Sequence, residues 1–219
     1  MSDEHEQPEK VWDEYDWERF LQQQDQKAER YLELLERYND HPERDAIVAK
    51  EMGWDGTEDA EARAWMEEVE IEFSQGDEEE EHADEEEVEG EEFLEVHPLY
   101  RLCVELTLWT DDLFEEEGDD FAVNPLAGEL SEQICYMSGK VAAAVCDAEE
   151  SELGMTIAYL KRALRAANRV LGAISELQEQ RAFSQVRSRQ LRTRLFQIRD
   201  GIVELMGTSR AEWRRRHDS

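Results

Sequence analysis

The sequence predicts an all-α protein: an up-down-up-down four-helix bundle in the second half, preceded by a helical, acidic N-terminal arm. Apolar residues recur at three- and four-residue steps over long stretches, the spacing that gathers them on one face of a helix. Pro42, Pro98 and Pro125 stand at the starts of such stretches, where the first turn of a helix accepts proline. No strand-like alternation competes with this assignment.

Val11 to Tyr38 contains no Pro or Gly, and Trp17, Phe20, Leu21, Ala28, Tyr31, Leu32 and Leu35 recur at helical steps. This predicts an amphipathic helix of about seven turns. Asn39-Asp40-His41-Pro42 stops it, and a short helix follows over Glu43 to Met52 before Gly53 and the turn Trp54-Asp55-Gly56. A further short helix is expected over Glu58 to Val69. The arm also carries Trp12, Tyr15, Tyr38, Trp54 and Trp65, more aromatic surface than a solvated segment needs. Trp17, Phe20, Tyr31 and Leu35 are the candidate contact residues, either against the bundle of the same chain or as a helix-in-groove ligand of another protein. A stacking platform for single-stranded nucleic acid is disfavoured, because the surrounding acids lack the cations such grooves use.

In the second half, Leu99, Leu102, Cys103, Leu106, Trp109 and Leu113 form the apolar face of a helix opening near Pro98 and ending before Gly118. Asn124-Pro125 starts the next, with Leu126, Leu130, Ile134, Met137, Val141 and Val145. Ser151 is the expected N-cap of a third, whose stripe is Ile157, Leu160, Leu164, Ala167, Leu171, Ile174 and Leu177. The fourth is expected from Phe183 through Val186, Leu191, Leu195, Ile198 and Ile202 to Leu205, closing at Gly207. Ala142, Ala143 and Ala144 let one helix approach a neighbour closely. The expected organisation is an arm over 1–66, an acidic low-complexity linker over 67–95, the bundle over 96–207 and a basic tail over 208–219.

Charge divides the chain. With 57 acidic and 24 basic side chains the net charge is -33, which disfavours non-specific binding of the intact chain to phosphate backbones or anionic lipid. Residues 151–219 hold 14 Lys/Arg against 7 Asp/Glu, whereas Glu67 to Glu95 alone holds 17 Asp/Glu. An acidic block of this kind cannot bury enough apolar area to offset chain entropy. It is read either as a solvated spacer or as a segment that folds back on the basic helices at high effective concentration.

The start, Met1-Ser-Asp-Glu-His-Glu, lacks the features of a secretory signal, and no apolar run approaches the roughly 18 residues of a membrane span, so a cytoplasmic location is expected. Cys103, Cys135 and Cys146 cannot all pair internally, and each is expected as a buried reduced thiol.

Leu130-Ser131-Glu132-Gln133-Ile134 looks like an L-T-x-Q-I stretch, and Tyr159-Leu160 with Ala163-Leu164 looks like an F-L-x-x-A-L stretch at a similar distance downstream. Leu99 to Leu108 adds an aromatic and an E-L pair, Tyr100 and Glu105-Leu106. In these features residues 97–206 resemble the four-helix-bundle proteins encoded in bacterial 23S rRNA intervening sequences and the related accessory proteins of diversity-generating retroelements. The family's P-x-N-I-A-E-G segment is replaced by Ala142-Ala143-Ala144-Val145-Cys146-Asp147-Ala148. The resemblance implies a bundle fold, ring-like homo-oligomers and a basic face that contacts nucleic acid in the retroelement relatives; it implies no catalytic residue.

Two sets of cations mark a candidate basic binding face: Lys161, Arg162, Arg165 and Arg169 step along the third bundle helix, and Arg187, Arg192 and Arg199 along the fourth, with Arg189 and Arg194 beside them. Such rows either track phosphates or pair with acids of the same chain. The run Arg214-Arg215-Arg216-His217 suits a helix C-terminus and its dipole. Glu79 and His82 have Glu-x-x-His spacing without a second such pair, and Asp77 to Glu89 lacks the central Gly of a Ca²⁺ loop, so no metal site is assigned. His41 and His97 each precede a proline and read as turn residues. No phosphate-binding loop, dinucleotide fingerprint or nucleophile elbow is present, so no catalytic or cofactor-binding residue is assigned.

The functional expectation is a non-enzymatic interaction or scaffold protein, bound to a protein partner or to itself, whose acidic arm modulates access to the basic face. Its rivals are a nucleic-acid-binding accessory protein acting through the basic C-terminal half, and a bundle with no ligand site. An enzyme with a polar site inside the bundle ranks last, because the core stripes carry almost no polar residue.

Overall fold

Asp13 opens the first helix by turning its carboxylate onto the free N–H groups of the first turn: Oδ1 accepts from Tyr15 N at 2.8 Å and from Asp16 N at 2.9 Å. Asp16 reaches back to Asp13 N at 3.3 Å, the reciprocal half of a capping box. The computed structural model describes residues 10–54, 97–146 and 153–217, and every element among them is helical. In chain order they are α1 (Glu14–Arg37), α2 (Arg44–Met52), α3 (Pro98–Glu117), the single turn α4 (Asp119–Ala122), α5 (Pro125–Cys146), α6 (Leu153–Glu179) and α7 (Gln185–His217). No helix among the described residues is long and apolar enough to cross a membrane.

The chain forms two units. The described part of one is residues 10–18 together with α3 to α7; that of the other is residues 19–54, and α1 contributes to both. In the larger unit α5 packs on α6, α6 on α7, and α3 on both α5 and α7. Leu106, Leu130, Ile134, Met137, Leu160, Ile174, Leu177, Leu191, Leu195, Ile198 and Ile202 fill the space between them. Phe121 closes one end of this core, its ring 5.0 Å from Phe114 and 5.7 Å from Phe183. Gly201 admits Leu99, whose Cδ1 would stand 2.8 Å from a Cβ at that position. In the smaller unit Leu34 and Val48 are buried and Tyr31 lies 5.8 Å from Trp54, ring to ring. Gly53 ends α2 at φ 79°, a left-handed conformation that suits glycine.

Several helix ends follow local chemistry. His97 precedes α3 with Pro98 in its first turn, and Asn124 Oδ1 accepts from Leu126 N at 3.0 Å at the start of α5. Ser184 Oγ accepts from Arg187 N at 3.3 Å at the start of α7. Between α6 and α7, Ala182 N donates to Leu177 O at 3.0 Å while Arg181 takes φ 59°. That is a left-handed helix stop built on a residue other than glycine.

Three expectations need correction. The last helix does not stop at Gly207 but runs to His217, because Met206 and Ser209 are buried and Trp213 packs against the core, continuing the apolar stripe past the glycine. Residues 208–217 continue the helix, and Arg214, Arg215, Arg216 and His217 form its last turn, the place their charge suits. Val186 is exposed, since Ser188 and Leu191 take the core-facing positions of that turn. Of the three thiols only Cys103 is buried, Cys135 and Cys146 lying on exposed positions of α5. Residues 10–18 of the expected arm group with α3 to α7 in one unit. The linker over 67–95, the short helix over Glu58 to Val69 and the cap at Ser151 lie outside the described residues.

Candidate interaction surface on α6 and α7

The first turn of α1 lies on the basic side of α6 and α7. Glu14 receives Arg210 of α7 in a two-pronged ion pair, Nε to Oε1 at 3.0 Å and Nη2 to Oε2 at 2.7 Å. Lys161 of α6 reaches the same carboxylate at 3.4 Å, and its Nζ stands 4.5 Å from the centre of the Tyr15 ring. One turn further on, Glu18 accepts from Arg165 Nη1 at 2.7 Å and from Arg162 Nε at 3.4 Å. The acids are four residues apart on α1, and Lys161 and Arg165 are four apart on α6, so two helical repeats are in register.

A close approach makes these contacts possible. A Cβ at Gly154, in the first turn of α6, would fall 2.6 Å from Trp12 O, 2.9 Å from Trp17 Cδ1 and 3.0 Å from Asp13 C. Only glycine leaves that space, and the Trp12 and Trp17 rings meet beside it edge to face at 4.9 Å. Lys10 adds a contact to Asp16 at 2.7 Å. A pocket of about 120 Å³ remains between Asp13, Glu14 and Tyr15 on one side and Ile157, Arg210, Trp213 and Arg214 on the other.

Burial decides which of these charges matter. Arg162 is only 4% exposed and Glu18 7%. Arg162 is therefore no surface cation, as the sequence had suggested, but is covered and charge-matched by Glu18. Burial alone pushes the Glu14 carboxyl upward, but the hydrogen bond and charge of Arg210, joined by Lys161, outweigh it and hold the group below its ordinary range.

The remaining candidates do not share one surface. Arg187 turns to α3, where Glu116 accepts at 2.8 Å and Glu117 also bonds it. Arg192 donates to Ser175 Oγ at 3.0 Å and Gln178 Oε1 at 3.3 Å on α6. Arg169 is exposed, and Arg199 is half-buried with Nε lacking a hydrogen-bond partner among the described residues. Arg194 lies 5.5 Å over the Trp109 ring. At the end of α7, Arg215 and Arg216 both bond Glu212, whose carboxyl they hold down at about 2.

Of the four candidate arm residues, only Trp17 lies in the larger unit. Tyr31 packs on Trp54 within the smaller one, where Phe20 and Leu35 are half-buried. Sequence reasoning passed over Glu14, Glu18, Gly154 and Arg210; the one local signal for the acids was their four-residue spacing, which matches that of the cations they meet. Among the described residues no group of three or more His, Cys, Asp or Glu is placed to hold a metal ion; Glu79 and His82 lie outside them. Comparison with family models, with curated proteins and with solved structures finds no match to this chain.

Proposed function

We propose that this chain is a non-enzymatic interaction protein of the cytoplasm in which α3, α5, α6 and α7 form an up-down-up-down bundle. The acidic start of α1 acts as a latch on its basic face. The bundle reading is supported by the packing order, in which each core helix lies against its neighbours in sequence and α7 returns to α3. The latch reading rests on one observation: Glu14 and Glu18 together engage Lys161, Arg162, Arg165 and Arg210, which are the cations an anionic partner would use. A tethered anion competes with free ones through its effective concentration.

The test keeps the chain whole, because residues 10–18 are part of the unit being tested. Binding of Glu14→Gln/Glu18→Gln and wild type to polyuridylate is compared at low salt. Tighter binding by the variant is expected; equal binding removes the masking idea. A second reading, a nucleic-acid accessory protein like the retroelement bundles, is favoured by Arg165, whose side chain is 55% exposed even while bonded, and by exposed Arg169. Steeply salt-dependent RNA binding by the wild type itself would support it.

A further inference from the structure

We infer that the partner of the latched face is an acidic, aromatic-bearing protein helix, of which residues 12–18 are the built-in copy. This rests on the latch reading and adds to it the class of the displaced ligand. The face reads three things at once. It matches carboxylates one helical turn apart: Arg210 and Lys161 take the first, Arg165 and Arg162 the second. It sets a cation over an aromatic ring adjacent to the first carboxylate, Lys161 over Tyr15. It provides a notch at Gly154 in which a tryptophan carbonyl and an indole edge approach closer than any Cβ would permit.

A phosphate backbone supplies the anionic charge of the first of these, but not its spacing, and neither of the others. Its charges sit on a flexible ribose chain without the four-residue helical repeat, and it presents no peptide carbonyl to the notch. The pairing with Glu18 is also one that burial makes selective, since Arg162 at 4% exposure is reached by a side chain that enters a fitted surface. Charge complementarity therefore selects an anion, and shape selects a helix that carries Glu-x-x-x-Glu with aromatics one and three residues after the first Glu.

The experiment uses a fluorescent peptide of residues 10–24 added to the full chain carrying Glu14→Gln/Glu18→Gln, whose helical circular dichroism is first matched to wild type. Glu14→Gln alone, which keeps the Glu18 contacts, serves as the second host. The peptide is expected to bind the double variant at least about ten-fold tighter than wild type, a difference set by removing the tethered competitor. It should lose that binding when Lys161→Glu/Arg165→Glu is added, and resist displacement by polyuridylate of equal charge. If polyuridylate binds the opened face and the peptide does not, the latch reading stands and the protein-helix inference falls. If neither binds, both fall. If wild type doubles its mass as concentration rises, and the double variant does not, the occupant is a second copy of this chain and the partner inference is overturned.

Discussion

Glu14 and Arg210 lie 196 residues apart in the sequence and meet through two hydrogen bonds, at 3.0 and 2.7 Å. The pair ties the first turn of α1 to the last turns of α7, and Lys161 extends it to α6. A parallel geometry of this kind fixes orientation as well as charge, which distinguishes it from an incidental surface contact.

Acid should open the latch. The Glu14 carboxyl sits below its ordinary value of 4.5, so its contribution is fully present above that value and is lost as the pH falls through the lower folded value. The protection of amides 13–18 against hydrogen exchange, taken relative to the intrinsic rate at each pH, is expected to hold from neutral pH down and to fall only in acid below about pH 4.5. Protection unchanged across that range would show that Glu14 holds nothing.

Gly154→Ala should separate the latch from the core. The new Cβ would collide with Trp12 O and Asp13 C, which are backbone and cannot rotate away. Within α6 itself alanine favours helix by up to about 1 kcal/mol relative to glycine. The expected result is faster exchange of residues 12–18 with a melting temperature no lower than wild type for the core. Cooperative loss of the whole fold would instead make residues 12–18 a structural part of it.

At Arg181 a side chain occupies a left-handed conformation at φ 59°, which costs a residue with a Cβ roughly 1 kcal/mol relative to glycine. Arg181→Gly removes that strain but loosens the unfolded chain, so a gain of about 0.5 kcal/mol in urea denaturation is expected. A loss of stability would mean that the Arg181 side chain makes an energetic contribution of its own.

The thiols should react in two classes. Cys103 is fully buried, and burial pushes its thiol up to about 12 despite a bond to Ser138, while Cys135 and Cys146 are exposed. A thiol-reactive dye is expected to label Cys135 and Cys146 in the native protein and Cys103 only after unfolding, which mass spectrometry of peptides resolves.

What the sequence disclosed was what local chemistry decides. Pro98, Gly118, Pro125 and Gly53 bound helices because proline fits a first turn and glycine an ending one, and the four-residue apolar steps named most of the buried stripe. Gly207 misled because its cost in a helix is offset by burial of Met206 and Ser209 and packing of Trp213, side chains whose neighbours are distant in sequence. Arg162 and Arg187 show the same limit from the other side. Helical spacing put both among surface cations, but one is covered by Glu18 and the other turns to Glu116 and Glu117 of α3. Charge composition revealed that acids and bases were segregated; it held no information on which acid would meet which base.

If Glu14 and Arg210 hold the start of α1 as a pair, a double-mutant cycle reads their coupling. Glu14→Gln, Arg210→Gln and the double variant are compared with wild type by the opening free energy of amides 13–18, taken from native-state hydrogen exchange. A coupling of at least about 1 kcal/mol is predicted for a charge-assisted, two-pronged pair. Additive effects, with coupling indistinguishable from zero, would contradict it.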